Sequence, residues 1–319
     1  MYTSILESDL ATTDSTQKYE INTLRLGSLY DNDYYGNMLL FDNNKGLVIM
    51  RLNDINLQKY AFSQSIKKLE LYNCLFNPTT DFTFLTNLTK VTIGKKYSKQ
   101  LSTLEFPSKL EKIKVMNNVT NITSNTIFHE NLLTLTIHPM YKHQLTNIIL
   151  PTSLKKLKLG NSDSLKHITI PSNLKELSIY SFEDFITLND IESQHIKKII
   201  IHSILEYEQP IQIKIPSSVT CIGLYDLTLL KHISYSSSLT KLHLLGDEES
   251  INDLPITLEK LVLHEFICIR TDITNLPPSL QQIKINGINI TTTDIYHKIK
   301  RLPYACTIVD KDNNITSLS

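Results

Sequence analysis

Apolar positions recur along this chain in one phrase, repeated about every 22 residues. Its clearest copy is Leu150-Pro151-Thr152-Ser153-Leu154-Lys155-Lys156-Leu157-Lys158-Leu159-Gly160, built on the apolar triplet Leu154, Leu157 and Leu159. The first members of the triplets fall at Ile66, Leu88, Leu110, Leu132, Leu154, Leu174, Ile196, Val219, Leu239, Leu258 and Leu280. A phase held over so many copies is the signature of stacked coils, each unable to bury its apolar face alone. Upstream, Ile21, Leu24 and Leu26 fit the triplet. Asn44, Leu47 and Ile49 sit at the same phase, which brings the expectation to about 12–13 coils.

The last two apolar members of each triplet lie two residues apart, so on a strand they share a face. The triplet predicts a short strand with that face buried against the next coil. Successive strands then pair in parallel, in chain order. Proline stands three residues before the triplet at Pro107, Pro151, Pro171, Pro216, Pro255 and Pro277, where it fixes the turn into the strand without removing a ladder donor. A strand and two turns leave no room for a full helix in such a coil, so the return segments are expected to be short, irregular or extended, with some helical turns.

The fold class expected is therefore a repeat solenoid carrying a curved parallel sheet. Its division is a loose polar leader over 1–18, a solenoid over 19–286, and a C-terminal cap and tail over 287–319. In the cap, Ile295, Ile299 and Leu302 form one helical stripe with Thr293 or Asp294 as N-cap, and Pro303 ends it. Residues 306–309 read as a last strand. Such a cap is needed because a terminal coil otherwise exposes its core.

Composition changes this picture little. Hydrophobic residues make up 41% of the chain, enough for a large core and against disorder. The formal net charge is zero, which removes the bulk basic field that nucleic acid or an anionic membrane attracts. Cys74, Cys221, Cys268 and Cys306 lie far apart and read neither as a disulfide framework nor as a zinc site. The N-terminus shows no signal peptide, and no apolar run reaches membrane-spanning length. The setting expected is cytoplasmic and reducing, for a chain that is monomeric by itself.

The phrase resembles the leucine-rich repeat from about Ile21 to Ile285. Within that superfamily, Leu150–Gly160 is most similar to the FNIP repeat, whose coils begin Leu-Pro-x-Ser-Leu-x-x-Leu-x-Leu-Gly. The Tyr-led segments Tyr97–Leu101 and Tyr141–Leu145, and Phe76-Asn77-Pro78, resemble its following phrase in part. Ile215–Gly223 looks more like a BspA-type repeat, the second choice, and Asn275–Ile285 resembles the short repeats of bacterial effectors. FNIP proteins often carry an N-terminal F-box, but residues 1–60 hold no matching Leu-Pro-led helical segment. What the resemblance implies is a protein-binding scaffold.

The phase also assigns the residues of the exposed, concave face. One column runs Lys68, Lys90, Lys112, Thr134, Lys156, Glu176, Lys198, Cys221, Lys241, Lys260 and Gln282. A row of lysines on adjacent strands repels itself, by about 0.9 kcal/mol per pair at 4.8 Å in water. An acidic partner relieves that repulsion. Equally, lysine is the commonest charged residue here and keeps a sheet soluble. A second column carries Tyr180, His202 and Tyr225 on three consecutive coils, rings suited to anchoring a protein.

Catalytic and metal motifs are missing from the sequence. There is no Gly-x-Ser-x-Gly, no phosphate loop and no His-Glu-x-x-His. His138 and His202 are three coils apart, too far to share an ion. Cys221 is on the face without a His or Asp placed to activate it. The function expected is a non-catalytic adaptor, without cofactor or metal, that binds a protein partner through Tyr180, His202, Tyr225, Lys156 and Lys198. That partner is one with acidic surface. The alternatives are a surface or adhesion protein and an atypical enzyme subunit on a solenoid.

Overall fold

A computed structural model describes residues 2–4, 23–26, 39–42, 46–49, 65–72, 81–94, 101–116, 122, 126–141, 145–160, 165–191, 195–202, 212–234, 236–246, 251–252, 254–264, 269, 271–287 and 291–315. The chain forms two compact units, Met1–Asn173 and Leu174–Ser319. In both, the apolar triplets do what their spacing demands. From Ile66 on, each forms a short strand whose inward members are excluded from solvent: Leu154, Leu157 and Leu159 are 0% exposed, as are Ile196, Ile199 and Ile201. Burying side chains of this size stabilises by about 1.5–3 kcal/mol each, before the entropy of ordering is subtracted.

The first unit contains β1 (Tyr2–Ser4), β2 (Thr23–Leu26), β3 (Leu39–Asp42), β4 (Gly46–Ile49), β5 (Lys68–Leu71), β6 (Lys90–Ile93), β7 (Lys112–Val115), β8 (Thr134–Ile137) and β9 (Lys156–Lys158). From β5 to β9 the strands pair in parallel and in chain order, as the phase predicts. The N-terminal end departs from that order. There β2 pairs directly with β5, and β4 lies on the other edge of β2. The cause is β3, which pairs antiparallel with β4. That pairing occupies the edge of β4 that the following coil, β5, would have used. β1 adds antiparallel to β3, so Tyr2–Ser4 is a strand rather than part of a loose leader.

The second unit contains β10 (Glu176–Ile179), helix α1 (Phe182–Thr187), β11 (Lys198–Ile201), β12 (Ile213–Lys214), β13 (Cys221–Leu224), β14 (Ile233–Ser234), β15 (Lys241–Leu244), β16 (Lys260–Leu263), β17 (Gln282–Ile285), α2 (Thr292–Lys298) and β18 (Thr307–Val309). Strands β10, β11, β13, β15, β16, β17 and β18 pair in parallel in that order. β12 and β14 pair separately in the return segments. The expectation of short returns holds. Single 3-10 turns occupy Leu101–Thr103 and Leu165–His167, and the six residues of α1 run on into another at Leu188–Asp190.

Two parts of the phrase have a structural task that spacing alone does not reveal. The carbonyls of Pro107, Pro151, Pro216, Pro255 and Pro277 accept from the backbone N–H of the first triplet residue three positions on, at 3.0–3.1 Å. The hydroxyl just before the triplet ties one coil to its predecessor. Ser153 donates to the Leu132 carbonyl at 2.8 Å, Ser218 to Ile196 at 2.8 Å, Thr257 to Leu239 at 2.6 Å and Ser279 to Leu258 at 2.8 Å. Each such bond contributes about 1 kcal/mol and fixes the register of neighbouring coils.

The cap forms, with shifted bounds. Thr291 caps α2, because its hydroxyl accepts from the Asp294 N–H while the Asp294 carboxylate accepts from the Thr291 N–H. This reciprocal box fixes the helix start two residues earlier than Thr293. Ile295 is buried, but the helix stops at Lys298, and Ile299 instead bridges to Ile273. Strand β18 then pairs with β17 and covers the last coil.

Candidate functional site: the outward face of the sheet

Residues alternating with the buried members point away from the core. The parallel ladder fixes which of them are neighbours. In the first unit Lys68 lies opposite Lys90, and Lys90 opposite Lys112. Thr134 and Lys156 follow in the same column. Lys156 is half-buried and belongs to this basic column, with Lys158 in the neighbouring column opposite Thr136.

In the second unit the ladder extends one residue past the strands. His202 N–H donates to the Ile179 carbonyl at 3.0 Å, and Tyr225 N–H to Ile201 at 3.2 Å. That extension aligns the three rings expected to form a patch. Tyr180 and His202 stack with centroids 3.6 Å apart and planes 9° apart, and His202 and Tyr225 at 4.5 Å and 25°. The stack changes the status of its middle member. His202 is only 8% exposed, closed off by the flanking rings and held by Ser178 Oγ, 3.0 Å from its Nε2. Tyr225, at 38% exposed, presents the stack to solvent. Burial, followed by the nearby Tyr225, pushes the Tyr180 hydroxyl well above the ordinary tyrosine range, so it stays protonated.

Lys198 opens β11, four residues before His202, and is not an isolated charge. Its ammonium lies 3.6 Å from a Glu176 carboxylate oxygen on the adjoining strand. The pair is partly solvated and contributes little to stability. Cys221 is half-buried, and burial raises its thiol pKa against the opposing pull of Lys198 and Lys241. A protonated thiol is a poor nucleophile.

Sequence reasoning missed a second pair of rings. His243 on β15 and His264, just past β16, bring Nδ1 and Nε2 to 3.0 Å. They are diagonal neighbours, two positions out of register, and each column taken alone hides them. The step of 19 residues from Leu239 to Leu258 places them on adjoining coils and was the available signal. Burial first, then the nearby Lys241, lowers the His243 pKa to about 3, so its ring is neutral at pH 7. Among the described residues no group of three or more His, Cys, Asp or Glu side chains is placed to hold a metal. Among them also, no helix is long and apolar enough to cross a membrane.

The repeat itself has relatives. A profile of the BspA type leucine rich repeat region matches residues 41–143 and 139–245, in six copies, well over half of the chain. The chain belongs to the BspA-type leucine-rich repeat family. This places the leucine-rich repeat resemblance on firm ground, and the type matched is the second of the two subfamilies that the phrase suggested. Among solved structures, this leucine-rich repeat protein is similar to YopM from Yersinia enterocolitica WA-314, at 16% identity and a TM-score of 0.35. The match covers 82% of this chain and spans 66% of that one, just under two thirds of its length. No curated protein matches the chain.

Proposed function

We propose that this leucine-rich repeat protein is a non-catalytic adaptor that holds a protein partner on the outward sheet face of its second unit. The observation that carries the reading is the Tyr180–His202–Tyr225 stack. Three rings are fixed by backbone register, and the outermost remains open. Rigid aromatic side chains lose little entropy on docking, and interfaces draw most of their energy from a few such anchors. Tyr225 is the contacting anchor, and Tyr180 and His202 hold it in place. Lys198, four residues before His202 on the same face, favours a partner with acidic surface, chiefly through association rate. Lys156 lies in the first unit and acts within that unit's own lysine column.

The adaptor works as a monomer in the reducing cytoplasm, a reading supported by the free thiols of Cys221 and Cys306. A surface-displayed, adhesive role is the second reading, favoured by the BspA type of the matching repeat. The finer likeness to FNIP repeats is supported by Tyr141, the Tyr that opens that phrase, which is fully buried.

The test is a pair of variants. Tyr225→Arg keeps the backbone and replaces an exposed ring by a charge. It should fold as wild type and lose the partner by about tenfold or more, as for an interface anchor. The triple change of Tyr180, His202 and Tyr225 to Ala should abolish capture from the native cell. A Tyr225→Arg protein that keeps its partner at wild-type affinity puts the interface elsewhere, on the return segments or the cap.

A further inference from the structure

Val262 occupies an outward position, between the fully buried Leu261 and Leu263, yet is itself only 2% exposed. Its neighbours explain why. His243 and Lys284 lie directly opposite it on the two flanking strands. Lys260 and His264 stand two residues before and after it on its own strand. Four long side chains therefore ring an apolar floor. Strand spacing sets the frame at about 10 Å across the ladder and about 13 Å along it, and His243 and His264 close one corner at 3.0 Å.

On the three strands themselves the outward charge has one sign. The outward positions of β15, β16 and β17 are Lys241, His243, Lys260, Val262, Gln282 and Lys284, with no acidic residue among them. Lys241 and Lys260 are in direct register, and among the described residues no carboxylate pairs with either. Lys284 donates to the Asn313 side-chain oxygen at 2.7 Å, and its charge also reaches Asp310, beyond the three strands. Like charges set opposite each other destabilise a sheet. Here Lys260 feels it: its pKa is lowered by burial, then by Lys241 and Lys284. The groups facing His243 are Lys241 on its own strand, His264 and Lys260 on β16, and Lys198. All are cationic or neutral, and Lys198 already has Glu176, so an incoming anion meets the charges of Lys241 and Lys260.

We propose that the bowl around Val262, rimmed by Lys260, Lys284, His243 and His264 with Lys241 beside it, is a binding site for an oxyanion, a carboxylate or a phosphate group. The two imidazoles add directionality. As a neutral pair they share one N–H between Nδ1 of His243 and Nε2 of His264. Protonation of the pair adds a ring N–H and a positive charge. Bound anion offsets the field of the lysines, so it raises the His243 pKa from its low value. By linkage the site takes up protons on binding and tightens as pH falls. The site stands on residues apart from the Tyr225 stack, and its fate does not decide the adaptor reading.

The experiment is a titration of the full chain, labelled at histidine nitrogen, with sodium sulfate, sodium acetate or sodium chloride at constant ionic strength and pH 7. Sulfate stands in for a phosphate group and acetate for a side-chain carboxylate. The His243 and His264 signals should move saturably with sulfate, acetate or both, but not with chloride, and sulfate should raise the His243 pKa. Saturation by sulfate alone assigns a phosphate group; saturation by acetate assigns a carboxylate. Lys260→Gln with Lys284→Gln should weaken binding by about tenfold or more, the effect of losing charge-assisted contacts. Lys68→Gln, which removes charge from the other unit, should leave it unchanged. No saturation with either oxyanion, an equal response to chloride, or an equal loss in Lys68→Gln overturns the proposal.

Discussion

Leu157→Asp should be among the most damaging single substitutions in this protein. Leu157 is fully buried on β9, opposite Leu135 of β8. Both neighbours along the chain, Lys156 and Lys158, point outward, so the strand cannot turn the new carboxylate to water without slipping one residue. Such a slip would bury two lysines instead. The carboxylate must therefore be protonated, or the coil must open. Either costs several kcal/mol, on the order of 4 or more. Coils contact mainly their neighbours, so the loss starts locally and unfolding becomes less cooperative. Amide exchange should rise first in β8 and β9, and the melting midpoint should fall. A melt and an exchange pattern like those of wild type would show that the triplet does not face the core.

Gly246→Val should damage both stability and the aromatic face. A Cβ at position 246 would run into the Tyr225 carbonyl oxygen and come within 2.8 Å of its carbonyl carbon. These are backbone atoms, so no rotamer change relieves the overlap. Either the Leu245 N–H must give up the Leu224 carbonyl, 2.7 Å away, or Tyr225 must leave its place beside Ile201. The cost expected is about 3 kcal/mol, at the upper end for overpacking. Moving Tyr225 also unstacks the ring from His202. The chain has no Trp, so its near-ultraviolet circular dichroism reports largely tyrosine packing. That signal should weaken, with a lower denaturant midpoint. A variant with wild-type midpoint and spectrum would mean that position 246 has room that the close approach denies.

Much of this architecture was readable from the chain because its cause is periodic. A triplet repeated eleven times from Ile66 fixes inward and outward positions, and with them the alignment of Tyr180, His202 and Tyr225. What escaped was aperiodic. The placement of β2 against β5 follows from the antiparallel β3–β4 pair, for which no copy elsewhere in the chain gave a template. The start of α2 was missed by two residues because Thr291, Thr293 and Asp294 all suit a cap, and only the Thr291–Asp294 reciprocity decides among them. His243 and His264 meet on a diagonal, which reading one column at a time does not inspect. The closing of His202 between two tyrosines depends on rotamers, which spacing does not encode. Lysine counts likewise said nothing of which lysines find acids, as Lys198 does with Glu176.

The central claim is that a protein partner seats on the outward face around Tyr225. The most direct measurement is oxidative footprinting of the complex isolated from the native cell, compared with the free chain. Exposed tyrosine is readily modified, and Tyr225 is the open member of its stack. In the complex, modification of Tyr225 should fall several-fold, while the fully exposed Tyr304 of the cap keeps its reactivity. Unchanged reactivity at Tyr225, with protection confined to Tyr304 or to the return segments, would contradict the claim.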